Sequence, residues 1–299
     1  MNFKLNQQIF SERYLNNEIE VFIKRLDLID PFISGNKLFK LKHNVDRALL
    51  KKKNMLITFG GAFSNHILAT AAYAKKKNID CLAIVRGEEY SELNPLLALA
   101  KEYGMNFCFV SRKEYAKRND NNYISELIRK YKKAFIVPEG GNNKLGVLGA
   151  EEILETQDKS FDYIICPIGT GATLSGIVNS SNRSQKVIGI NCINDTKDIN
   201  KNISQKTNKN NWEIINEFNF GGFAKFDNLL TEYLKKFKLN YKITLDLNYT
   251  TKMFFGFEKL IERRYFHRKS KVLLIHTGGT YGNLGFNYLY DLDLPHESN

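Results

Sequence analysis

The sequence predicts an α/β fold built on mostly parallel sheet, and three observations carry that prediction. Short β-branched or aromatic runs recur along the 299 residues, amphipathic stretches with apolar residues at helical spacing separate them, and glycine-rich turns close several of the runs. Alternation of this kind builds βαβ units, whose crossovers force neighbouring strands to run parallel.

MLITF (55–59), CLAIVRG (81–87), FCFV (107–110), AFIVP (134–138), YIICPIG (163–169), KVIGINCI (186–193), KITLDL (242–247) and KVLLIHTGG (271–279) are expected as strands. Each is short and rich in β-formers. NHILATAAYAKKK (65–77), NPLLALAKEYG (94–104), YISELIRKYKK (123–133) and LGVLGAEEILE (145–155) carry the helical period. One stretch breaks the alternation: NDTKDINKNISQKTNKNN (194–211) is polar and almost without apolar periodicity, and is expected as a surface excursion. With no flexible linker in view, any two domains exchange chain segments and face each other across a cleft.

Charged residues at 25% and hydrophobic residues at 43% place the chain among globular proteins. The formal charge of +12, from 44 Lys and Arg against 32 Asp and Glu, suits an anionic ligand, but the basic residues are scattered and no nucleic-acid motif accompanies them. Nucleic-acid binding is therefore not expected. Cys81, Cys108, Cys166 and Cys192 are widely spaced in apolar runs, as buried thiols in a reducing compartment are. The first residues, MNFKLNQQIF, lack an apolar signal core, and no apolar run is long enough to span a bilayer. The expected location is cytoplasmic, with no membrane partner.

Three runs end in glycine-rich turns with a hydroxyl or amide residue close behind: TFGGAFSNH (58–66), CPIGTGATLSG (166–176) and IHTGGTYGNLG (275–285). In an open parallel sheet such turns let backbone N–H groups and a helix N-terminus approach an anion. A tight strand-to-helix turn needs glycine in any case, so each alone leaves both readings open. Neither the P-loop nor the dinucleotide fingerprint is met, so the three together favour a phosphate that is not a nucleotide's. The five histidines show no metal-ligand spacing and no metal is expected; G-x-S-x-G is missing, which argues against a serine hydrolase. Lys37, Lys40 and Lys42 crowd beside the turn Gly35-Asn36, and read alone they fit either a working amine or the solvated start of a helix. A reactive lysine, a phosphate cradle and no metal are the parts of a pyridoxal 5'-phosphate site.

Seven segments sharpen this. SGNKLFKLKHN (34–44), GGAFSNH (60–66), PEGGNNKLGVLGAEEI (138–153), GTGATLSGIV (169–178), FGGFAK (220–225), LDLNYTTKM (245–253) and IHTGGTYGNLGF (275–286) form a series that resembles the ordered motifs of the 1-aminocyclopropane-1-carboxylate deaminase and D-cysteine desulfhydrase family. The resemblance implies the pyridoxal-phosphate-dependent fold type II, tryptophan-synthase-β-like: two open twisted α/β domains with the cofactor in the interdomain cleft. A large domain would combine 1–39 with 141–299, and 40–140 would form the small one.

Carried over by motif, Lys37 bonds the cofactor aldehyde and carries the proton at the substrate α-carbon, while Lys40, one helical turn on, helps balance the phosphate. Gly169, Thr170, Gly171, Ala172 and Thr173 wrap that phosphate. Ser64, Asn65 and His66 open a helix and receive the substrate carboxylate, with Asn65 also bonding the ring hydroxyl of the cofactor. His66 matches the desulfhydrase-like version of the motif, where the deaminases carry glutamine. Tyr249 sits near the substrate and Thr250 meets the pyridine nitrogen; a neutral hydroxyl there favours elimination over transamination. Two departures bear on substrate choice. Phe223 stands where relatives have a tyrosine, and Tyr281 follows the HTGG turn as a candidate for the missing hydroxyl.

The implied activity is a lyase or deaminase of a small amino acid. The first expectation is D-cysteine desulfhydrase-like β-elimination to pyruvate, ammonia and sulfide; ring-opening deamination of 1-aminocyclopropane-1-carboxylate is the second. A catalytically degenerate cofactor-binding protein is the third. A homodimer is expected from the resemblance.

Overall fold

The computed structural model describes residues 5–88, 92–194 and 197–296 of the chain. Among these, ten strands form two sheets: β1 (Asn6–Ile9), β2 (Glu20–Arg25), β3 (Met55–Gly61), β4 (Asp80–Arg86), β5 (Met105–Val110), β6 (Ala134–Val137), β7 (Tyr163–Ile168), β8 (Lys186–Asn191), β9 (Trp212–Ile215) and β10 (Lys271–His276). The larger sheet has the order β1-β2-β10-β7-β8-β9 and the smaller β5-β4-β3-β6. All pairs are parallel except β1 with β2.

Twelve α-helices accompany them: α1 (Glu12–Asn16), α2 (Asn36–Leu50), α3 (Asn65–Lys76), α4 (Pro95–Glu102), α5 (Arg112–Tyr115), α6 (Asn121–Lys130), α7 (Lys144–Glu151), α8 (Ala172–Ser180), α9 (Lys197–Ser204), α10 (Asn228–Tyr241), α11 (Thr250–Glu262) and α12 (Gly282–Tyr290). Each sheet is covered on both faces. On one side of the large sheet, Leu234, Phe254 and Phe257 from α10 and α11 pack on Ile165 and Leu274; on the other, Leu174 and Ile177 from α8 pack on Ile164 and Leu273. Double coverage is why these strands read as near-continuous apolar runs rather than alternating ones.

Three expectations differ from the structure. The segment 242–247 is not a strand, although Ile243, Leu245 and Leu247 alternate and are buried. Its backbone is satisfied by side chains instead of a neighbouring strand: Asn283 Nδ2 donates to the Leu245 carbonyl, Asn283 Oδ1 accepts from Leu247 N, and the His276 ring bonds the Thr244 carbonyl. The polar stretch 194–211, of which 195–196 lie outside the described residues, contains α9, and Ile199 and Ile203 one turn apart are buried. Two isoleucines are all the apolar signal this short helix needs, because only one narrow face is covered. Cys108 is also partly exposed, whereas Cys81, Cys166 and Cys192 are buried as expected.

Two close approaches set the position of α2. A Cβ on Gly35, whose φ is +61°, would lie 2.0 Å from the Thr277 carbonyl oxygen, so only glycine lets the start of α2 rest on the exit of β10. Asn36 N donates to that same carbonyl and Ser34 Oγ accepts from Gly279 N at 2.7 Å. On the far side a Cβ on Gly149 would come within 1.8 Å of the Phe39 carbonyl oxygen, so α7 lies directly against the α2 backbone.

Candidate active site

A cavity opens where the carboxyl ends of β3, β7 and β10 converge, the place an open parallel sheet offers to ligands. All three glycine turns read from the sequence contribute to its lining: Asn65 behind the β3 turn, Gly169, Thr170, Gly171 and Thr173 but not Ala172 after β7, and Thr277 to Gly279 after β10. Lys37 and Lys40 enter from α2, Gly140 from the turn after β6, and Tyr249 from the turn before α11.

Lys37 Nζ donates to Asn36 Oδ1 at 2.9 Å, and Asn36 Nδ2 donates to Thr173 Oγ1 at 2.9 Å. Burial holds the Lys37 amine below the ordinary lysine range, against the opposing pull of Asp246. Burial, aided by the positive charge of Lys37, also lowers Lys40, to about 7. Two cations this close, with little solvent to screen them, repel each other and create a demand for an anion. Gly141 lies against the Lys40 stem, where a Cβ would meet Lys40 Cβ at 3.2 Å.

The turn at 169–173 has the local geometry of an anion cradle. Gly171, at φ +84°, caps α8 in the left-handed region, so the N–H groups that open the helix face the cavity end of the turn without a side chain in the way. Ala172 begins that helix and is buried. Tyr249 lies over Gly169: a Cβ there would touch the ring at 3.0 Å and the phenol oxygen at 3.3 Å. Burial, with Asp246 adding to it, pushes the Tyr249 phenol well above its usual range, so it stays protonated.

Asn65 is the second signpost. Its Nδ2 donates to the Gly279 carbonyl at 2.9 Å, while its buried Oδ1 has no partner among the described residues. An amide oxygen left unpaired at a cavity wall is an acceptor waiting for a ligand donor. Ser64 is the N-cap of α3, where its Oγ accepts from His66 N at 3.2 Å and from Ile67 N at 3.4 Å.

The remaining sequence candidates stand back from the lining. His66 is buried with its ring 2.9 Å from Thr58 Oγ1, and burial with the charges of Lys40 and Lys37 lowers it to about 3. Thr250 is buried, and its hydroxyl donates to Asp246 Oδ1 at 2.7 Å. Phe223 is 47% exposed and tilts against Tyr249 with ring centroids 6.2 Å apart. Tyr281 stacks on Phe32 at 5.5 Å inside the apolar cluster under the small sheet.

Sequence reasoning missed Asp246 and Asn36. Asp246 is buried beneath the site, accepts from Tyr249 N and Thr250 N, and is raised by that burial. An aspartate just ahead of Tyr-Thr-Thr and an apolar run is a helix-start signature, and it was available in the sequence.

A buried amine facing a glycine-lined anion cradle defines an enzyme that takes a phosphorylated aldehyde cofactor. A model of the family described as pyridoxal-phosphate dependent enzyme matches residues 7–278. A Thermotoga maritima protein provisionally named as a 1-aminocyclopropane-1-carboxylate deaminase is 30% identical over 293 residues, covering 91% of each chain. The Arabidopsis thaliana bifunctional D-cysteine desulfhydrase/1-aminocyclopropane-1-carboxylate deaminase, described as mitochondrial, is 29% identical over 90% of this chain and 74% of its own. The crystal structure of a homologue of 1-aminocyclopropane-1-carboxylate deaminase superposes with a TM-score of 0.81 at 27% identity, covering 96% of this chain and 93% of that one.

The chain belongs to the 1-aminocyclopropane-1-carboxylate deaminase and D-cysteine desulfhydrase family of fold type II pyridoxal-phosphate enzymes, and is a pyridoxal-phosphate-dependent lyase or deaminase. The residues present fit that cofactor: an amine of lowered basicity, a second lysine beside it, a glycine cradle at a helix N-terminus, and the unpaired Asn65 oxygen.

Proposed function

We propose that the protein eliminates a β-substituent from a small amino acid in the manner of D-cysteine desulfhydrase. With cysteine and water the products are pyruvate, ammonia and sulfide. The observation that carries the reading is that the Lys37 amine lines the same cavity as the turn at Gly169–Thr173 and the Tyr249 phenol. When bound, pyridoxal phosphate supplies an electron sink for charge developing at the substrate α-carbon.

In this reading Lys37 holds the cofactor at rest and, once displaced by substrate, moves the α-proton through its amine. The cradle from Gly169 through Thr170, Gly171 and Ala172 to Thr173 takes the phosphate, with Lys40 balancing its charge. Ser64, Asn65 and the opening N–H groups of α3 receive the substrate carboxylate, with His66 behind them. Tyr249, kept protonated, donates toward the departing group, and Phe223 beside it shapes the substrate side, with Tyr281 set behind in the apolar cluster of the small sheet. Thr250 offers the pyridine nitrogen no carboxylate, which favours elimination.

We further propose that the large domain comprises 1–39 and 141–299 and the small one 40–140, supported by the smaller sheet lying wholly within Met55–Val137. The working form is proposed to be a cytoplasmic homodimer.

A second reading, ring-opening deamination of 1-aminocyclopropane-1-carboxylate, is favoured by the names that several relatives carry. One screen separates the two. Cofactor-loaded protein is offered D-cysteine, L-cysteine and 1-aminocyclopropane-1-carboxylate, and the oxo-acid product is identified. Pyruvate from D-cysteine is expected; 2-oxobutanoate from the cyclopropane would transfer the assignment to the second reading. Neither product from any of them would reject both.

A further inference from the structure

Lys252 lies outside the catalytic reading, yet it is a buried cation close to the site. It is fully buried on α11, three residues after Tyr249, and among the described residues no carboxylate forms an ion pair with it. Its ammonium is held by main-chain carbonyls alone: Gly222 at 2.6 Å, Asn219 at 2.9 Å and Cys192 at 3.4 Å. Three donors meet three acceptors, which is the full capacity of a lysine. Gly222 belongs to the FGGFAK loop, Asn219 immediately precedes it, and Cys192 lies just beyond β8.

The loop needs such a tie. Phe220 (φ +52°), Gly221 (+85°), Gly222 (+107°) and Ala224 (+57°) all sit in the left-handed half of backbone space, and two of them carry side chains that disfavour it. The loop is also pressed onto the β8 exit, since a Cβ on Gly222 would lie 2.9 Å from Asn194 Cβ. Beyond Lys252, Asn248 Oδ1 accepts from Ala224 N at 2.9 Å. Between Gly222 and Ala224 is Phe223, whose ring tilts against that of Tyr249, and Tyr249 in turn lines the cavity.

We propose that Lys252 is a positioning residue, an internal cation whose carbonyl cage fixes the 219–225 loop and so sets Phe223 beside Tyr249. The inference rests on the proposed reading that Tyr249 faces the substrate. It assigns Lys252 control of substrate fit, separate from cofactor binding, because its contacts run to the loop and not to the cradle.

The test compares wild type with Lys252→Ala, which vacates the cage, and Lys252→Gln, which keeps two N–H donors and serves if the alanine variant does not fold. Hydrogen exchange of the loop amides is measured on cofactor-loaded protein. Exchange in 219–225 is expected to rise about tenfold or more in Lys252→Ala, and substrate KM to rise by about tenfold with little change in kcat or cofactor affinity. Added ammonium, which fits among the carbonyls, is expected to reverse both effects, and tetramethylammonium, which does not fit, to reverse neither. Unchanged loop exchange in the folded variants overturns the proposal, as does loosening that ammonium fails to reverse or that leaves KM untouched. Exchange needs no turnover, so a wild-type protein inert toward every amino acid counts against the proposed activity while exchange and its reversal by ammonium still decide the role of Lys252.

Discussion

Asn36 on α2 donates a 2.9 Å hydrogen bond to Thr173 on α8, and so ties the lysine helix to the phosphate cradle. The same side chain accepts from Lys37 Nζ. One amide therefore fixes the distance between the reactive amine and the turn opposite it. Asn36→Ala strands a buried hydroxyl and an amine, each a loss of about 1–3 kcal/mol of positioning. Cofactor affinity is expected to fall about tenfold or more, read by titrating the cofactor-free protein and following its absorbance. An unchanged dissociation constant would contradict the assigned tie.

Lys40 gives cofactor binding a pH signature. Its amine is lowered from 10.5 to about 7 by burial and by Lys37, so above that pH the cofactor-free fold has lost a proton that an unfolded chain retains. Two consequences follow. Stability of the cofactor-free protein rises with pH from about 7 toward 10.5, where the unfolded chain loses the proton too. Binding a phosphate dianion favours the protonated amine, so the phosphate's contribution falls as pH rises above 7. The ratio of pyridoxal phosphate to pyridoxal affinity is expected to drop between about pH 7.5 and 9, by at most tenfold per unit, with the Lys37 chemistry cancelling between the two ligands. In Lys40→Met the ratio should be small and flat; an equal slope in that variant would rule out Lys40 as the titrating group.

His66 behaves in the opposite region. Held at about 3 against an ordinary 6.5, it is neutral in the fold while the unfolded chain takes up a proton as pH drops below 6.5. Stability is therefore lost as pH falls from 6.5 toward 3, with a slope contribution of about 1.4 kcal/mol per unit. His66→Gln removes that contribution. Urea denaturation of the cofactor-free proteins at pH 4 to 6 should show a flatter acid limb for the variant, and parallel limbs would refute the burial argument.

Gly149 tests the scaffold beneath the lysines. Adding a Cβ 1.8 Å from the Phe39 carbonyl forces α7 away from α2, because both colliding groups are backbone. Gly149→Ala is expected to cost about 1–3 kcal/mol, seen as a lower urea midpoint, and to weaken cofactor binding because α2 carries Lys37 and Lys40. A midpoint equal to wild type would mean that the helices part without cost.

The sequence made much of this legible, for identifiable reasons. Parallel strands buried on both faces leave dense apolar runs, so β3, β4, β7, β8 and β10 were readable, and the glycine-rich exits of β3, β7 and β10 marked the cavity. Lys37 was readable only through the joint motif series, since three lysines in 37–42 are equivalent to local rules. The segment 242–247 misled because its alternation is real while its hydrogen bonds go to Asn283 and His276 side chains, a long-range fact. Helix α9 was hidden because two isoleucines are too few for a period. Asn36 and Lys252 act through partners distant in sequence, which local reading does not reach, and although the helix-start role of Asp246 is local, its pull on Lys37 is not.

The proposed bond between Lys37 and the cofactor is covalent, and reductive trapping reads it out. Protein loaded with pyridoxal phosphate is treated with borohydride, digested, and mapped by mass spectrometry. A single pyridoxyl adduct is expected on Lys37, absent from Lys37→Ala together with the visible absorbance of the bound cofactor. A stoichiometric adduct on Lys40 or Lys252 in the wild-type protein, or undiminished trapping in Lys37→Ala, would show that another amine holds the cofactor.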